Sequence, residues 1–84
     1  MPRGLWVSRD YKLEFQTNAG VCEVKGLDAA AVRFHFDSPG RWTEQRLEDR
    51  YPRTLKWDRG RWILMVTESH AVVRAYPLKP QEVK

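Results

Sequence analysis

The stretch that most constrains this chain runs Leu55-Lys56-Trp57-Asp58-Arg59-Gly60-Arg61-Trp62-Ile63-Leu64-Met65-Val66. It reads as a β-hairpin, with a turn at Asp58-Arg59-Gly60 between arms rich in aromatic and branched residues. Alternation puts Trp62, Leu64 and Val66 on one face of the second arm and Ile63 and Met65 on the other. A strand apolar on both faces is expected to be central and covered on both sides. Pairing Trp57 with Trp62 and Leu55 with Leu64 gathers the largest side chains on one face, whereas a one-residue slip would set Lys56 against Trp62.

Alternation organises the rest of the chain too. Leu5-Trp6-Val7 reads as a short strand. In Tyr11–Thr17, Tyr11, Leu13 and Phe15 face one way and Lys12, Glu14 and Gln16 the other. Asn18-Ala19-Gly20 is a turn, and Val21–Lys25 returns. Setting Thr17 opposite Cys22 places Phe15 against Val24 and Glu14 against Lys25, so apolar meets apolar and opposite charges meet. Val32, Phe34 and Phe36 point inward from the next strand, with His35 outward, and Pro39-Gly40 fits the centre of a type II turn. Residues 43–50 read two ways. A strand completes a hairpin with 32–37; a short helix could instead be capped by Thr43 and end before Pro52. The preceding turn favours the strand. Ala71–Leu78 is the last expected strand, with Pro77 marking a sheet edge.

The expected fold is therefore all-β: a small antiparallel meander of six to seven short strands, closed into a barrel or a two-layer sandwich, with a possible short helix at 43–50. Residues 1–84 form one domain, with a frayed tail from about 79. A hydrophobic fraction of 42% supports a globular chain. Four Trp, three Tyr and three Phe let so small a domain bury a large apolar area.

Few kinds of chemistry fit these residues. Cys22 is the single cysteine, which excludes an intrachain disulfide and suits a reducing compartment. The N-terminus lacks the apolar run of a signal peptide, so a cytoplasmic location is expected. His35, His70 and Cys22 have no metal-ligand spacing, and no cofactor motif is present. No serine sits in a nucleophile-elbow context, and no glycine run precedes a helix as a phosphate cradle. The expected protein is a binding domain, not an enzyme.

The functional signal is the segment 41–61. Arg41, Arg46, Arg50, Arg53, Lys56, Arg59 and Arg61 stand there against Glu44, Glu48, Asp49 and Asp58, with Trp42, Tyr51, Trp57 and Trp62 interleaved. Cations that follow phosphates and rings that stack on bases suit single-stranded nucleic acid. The candidate nucleic-acid-binding residues are Arg41, Trp42, Arg46, Tyr51, Arg53, Lys56, Arg59 and Arg61, with Trp42 or Tyr51 as the stacking platform. A plainer reading makes the rings core and the charges a solvated face. The alternative function is a module or inhibitor that docks on a larger protein through aromatic and Arg anchors or an exposed sheet edge.

Overall fold

The structure is a computed structural model that describes residues 1–45 and 50–81. The described residues contain β-strands and no helix. The strands are β1 (Gly4–Val7), β2 (Lys12–Asn18), β3 (Val21–Lys25), β4 (Val32–Ser38), β5 (Arg41–Glu44), β6 (Thr54–Asp58), β7 (Arg61–Ser69), β8 (Val72–Pro77) and β9 (Lys79–Pro80). They form one antiparallel sheet in the order β8-β7-β6-β5-β4-β3-β2-β1-β9.

The two ends of that order, β8 and β9, are consecutive in the chain. Leu78 joins them, and its N–H donates to the Trp62 carbonyl at 2.9 Å. One bent C-terminal strand thus pairs with β7 along 72–77 and with β1 along 79–80, curling the sheet into a nearly closed barrel. This decides against a sandwich.

The nine described strands exceed the expected six to seven, and one of them, β9, lies where a frayed tail was expected. Lys79 pairs with Val7 and Pro80 with Trp6. Two residues are too few to show alternation, so no pattern marks this strand. Thr43 and Glu44 are strand, not the start of a helix. The remainder of the 43–50 question, residues 46–49, lies outside the described residues.

Both registers argued from side-chain pairing are present. Thr17 faces Cys22 and Phe15 faces Val24; Leu55 faces Leu64 and Trp57 faces Trp62. Each hairpin has a tight two-residue turn, Ala19-Gly20 or Arg59-Gly60, with positive φ at both positions, as the twist of paired strands favours. The core lies inside the barrel: Leu13, Cys22, Val24, Phe34, Leu55 and Leu64 are fully buried there. Burial pushes the Cys22 thiol pKa up, which keeps it in the neutral, inert form. Double coverage of β7 is not seen. Its inward residues Trp62 and Leu64 are buried, but Ile63 and Met65 on the outer wall are only half-buried. In a single-layer barrel the outer wall meets solvent and long neighbouring side chains, not a second sheet.

Gly26 terminates β3 with φ +100°, and a Cβ added there would collide with the Lys12 carbonyl. Gly26→Ala should therefore lower stability by about 1–3 kcal/mol. A urea midpoint equal to that of the wild type would contradict this.

Candidate functional site

The barrel interior is apolar through its middle and differs at its two ends. Alternation explains the first end. Leu55 and Trp57 both point inward from β6, but Trp57 is one step nearer the turn and stands at the rim, 44% exposed. On β4, Phe34 is fully buried while Phe36 is 52% exposed. With Trp42, Trp62, Pro39 and Met1 these two rings line an open cleft of about 500 Å³.

The rings meet mostly edge to face. The centroids of Trp57 and Trp62 lie 5.1 Å apart at 64°, and those of Phe36 and Trp42 5.5 Å apart at 78°. Trp6 packs on Trp57 from inside, at 6.1 Å and 79°. The backbone of Trp57 is pinned by its N–H, which donates to the Gly40 carbonyl at 2.7 Å. These contacts fix the cleft walls in place.

Cations surround this end in a pattern set by the strands. Arg41, Lys56 and Arg61 each precede a Trp that faces inward, so each projects from the outer wall beside it. Arg41 and Lys56 are direct cross-strand partners. Like charges set opposite each other repel. Arg41 is partly compensated by Asp37, 3.3 Å away. Arg59 occupies the turn tip at φ +50°.

The opposite end of β5 and β6 carries a charge cluster. Glu44 shares the inward face with Trp42 and is 3% exposed; Arg53 is 8% exposed. The Glu44 carboxylate accepts from Arg53 Nε at 2.9 Å and Arg53 Nη2 at 2.7 Å, and from the Arg53 backbone N–H at 3.0 Å. Arg50 adds a second fork, with both bonds at 2.9 Å. Asp28 receives the other side of Arg53 at 3.1 and 2.7 Å. Burial alone would push the Glu44 carboxyl up, but the two guanidinium forks outweigh it and hold it below its ordinary value. The hydrogen bonds from Arg53 likewise hold Asp28 down. Both Glu44 oxygens are thus engaged by guanidinium donors. The cluster ties the 26–31 and 50–53 segments to the barrel.

The residues singled out from the sequence therefore divide. Arg41, Trp42, Lys56, Arg59 and Arg61 belong to the aromatic end. Trp42 is 4% exposed and offers almost no open face, whereas its edge-to-face partner Phe36 is open to solvent. Arg53 is committed to Glu44 and Asp28 and is not available to phosphates. Tyr51 lies near the charged end, 40% exposed, with its hydroxyl 3.1 Å from His70 Nδ1. Arg46 lies outside the described residues. The expected set omitted Phe36 and Trp57, the two exposed rings that line the cleft. Their positions could have been found by asking which inward residue stands closest to each turn.

The geometry defines a small all-β barrel with an open aromatic cleft at one end and a structural ion cluster at the other. In comparisons with known proteins, no family model, curated protein or solved structure matches the chain.

Proposed function

We propose that the protein binds single-stranded nucleic acid, stacking a base in the aromatic cleft while the backbone follows Arg41, Lys56, Arg59 and Arg61. The observation that carries this reading is the pair of open rings, Trp57 and Phe36, beside that group of outward cations. Aromatic walls near right angles suit a planar guest or an organic cation. Among the described residues no carboxylate lines the cleft, and the nearby cations disfavour a positive guest. An anionic ligand bearing flat rings satisfies both features.

Affinity for a short oligonucleotide should fall with salt, with a log–log slope of roughly −2 to −3 if three or four phosphates are contacted. Phe36→Ala should weaken binding by about 1–3 kcal/mol, the usual worth of one stacked base. Its half-exposed ring should matter far less to melting. Fluorescence anisotropy at low and moderate salt tests this. Absence of binding at low salt, or full affinity in Phe36→Ala, would refute the proposal.

A second reading, docking on a larger protein, draws on β8. That strand stands at one end of the sheet order, with Val72 and Val73 42% and 54% exposed. An extended partner segment could add to that edge. A stoichiometric protein partner captured by the wild type and lost on Val73→Lys, with oligonucleotide affinity unchanged, would favour this reading.

A further inference from the structure

We propose that the barrel seam is a second binding site, selective for a phosphate monoester, and that in a nucleic-acid ligand it receives the terminal phosphate. The identity of that larger ligand rests on the nucleic-acid reading; the seam site itself does not.

Three cations from three separate segments line one open cleft of about 460 Å³ there: Arg9 after β1, Arg61 at the start of β7 and Lys79 in β9. No run of basic sequence collects them; barrel closure does. Lys79 is held opposite Val7 by the β1–β9 ladder. Arg61 is held by the β6–β7 hairpin, and the next residue, Trp62, accepts from the N–H of Leu78 beside Lys79. None of the three cations forms an ion pair with a described carboxylate within 4.0 Å. Asp10 adjoins Arg9 in sequence and Asp58 faces Arg61 across the hairpin, yet neither lines the cleft.

Ser8 lines the same cleft and adds a hydroxyl to its wall. Its Oγ accepts from the backbone N–H groups of Asp10 at 3.2 Å and Tyr11 at 3.1 Å. Both lone pairs are then engaged, and the hydroxyl proton remains to be donated. Two guanidinium groups, an ammonium and a hydroxyl along one cleft are donors of the kind an oxyanion takes. Three clustered positive charges exceed what a singly charged phosphodiester neutralises. A terminal monoester, with about −1.5 to −2 charge at neutral pH, fits better. Arg61 also leads directly to Trp62 and the aromatic cleft, so a strand could start at the seam and run toward Trp57.

The test compares short oligonucleotides carrying a 5′-phosphate, a 3′-phosphate or neither, together with inorganic phosphate followed by amide chemical shifts. The expected result is about tenfold tighter binding of one phosphorylated form, as a charged hydrogen-bonded group usually supplies. Lys79→Ala and Arg9→Ala should remove that increment and leave the unphosphorylated strand's affinity within about twofold. Inorganic phosphate should shift the amides around Ser8, Arg9, Arg61 and Lys79. If oligonucleotides bind equally with and without a terminal phosphate, and phosphate shifts none of these amides, the seam proposal is overturned while the nucleic-acid reading stands. If no oligonucleotide binds but phosphate shifts these amides in wild type and not in Lys79→Ala, the nucleic-acid reading fails. The seam is then a site for a free phosphate monoester.

Discussion

Trp62→Ala should destabilise the protein by about 3–5 kcal/mol, the usual consequence of truncating a buried Trp. Domains of this size often have only about 5–10 kcal/mol in total, so the variant should be largely unfolded at modest temperature or urea. Trp62 is 4% exposed, faces Trp57 across the hairpin, and lies on the inner wall with Leu64. Its carbonyl also holds Leu78 at the seam, so collapse around the missing ring would disturb the closure of the barrel. Arg59→Ala is the control. Arg59 sits at a turn tip, and changing it should move stability by less than about 0.5 kcal/mol. A wild-type melting curve for Trp62→Ala would show that the aromatic end is not part of the core.

Glu44→Gln should cost a similar amount, about 3–5 kcal/mol, by leaving Arg53 buried with its charge half compensated. The wild type should also show a distinct acid limb. The folded state depresses the Glu44 and Asp28 carboxyls below their ordinary values of 4.5 and 3.8. On acidification the unfolded chain therefore takes up these protons first. The stabilisation is fully present above about pH 4.5 and is lost progressively below it, until the folded-state carboxyls themselves protonate. Glu44→Gln removes one of the two titrating groups. The gap in urea midpoint between wild type and variant should then narrow from pH 6 to pH 3. A gap that stays constant over that range would show that Glu44 is not held ionised by the two arginines.

The registers of both major hairpins could be read from the sequence because each one-residue slip would have exchanged apolar partners for charged ones. The turns could be read because Gly20, Gly40 and Gly60 supply the left-handed backbone they require. The ion cluster was hidden by a habit of treating charge as surface. Once Trp42 is assigned inward, alternation places Glu44 inward as well, and Leu55 does the same for Arg53. What identifies the pair is the need of each for a partner, a tertiary fact that one strand cannot show. Which rings stand open at the barrel end was hidden for a related reason. Facing inward and being buried are different conditions near the end of a barrel, and Phe36 and Trp57 satisfy only the first. The seam cleft was beyond sequence reading altogether, since Arg9, Arg61 and Lys79 meet only after closure.

That closure has a consequence for how the protein is made. From β1 to β8 each ladder joins strands that are neighbours in the chain, whereas β1–β9 joins positions 7 and 79. A growing chain can therefore assemble the meander hairpin by hairpin as it leaves the ribosome, but the ring stays open until residues 79–81 emerge. Through that interval β1 presents a bare backbone edge, the kind of surface that recruits strands from other chains. Synthesis that stalls or terminates just short of Lys79 would release a nearly complete sheet without its fastening. In this fold it is residues 79 and 80 that convert an adhesive edge into a paired one.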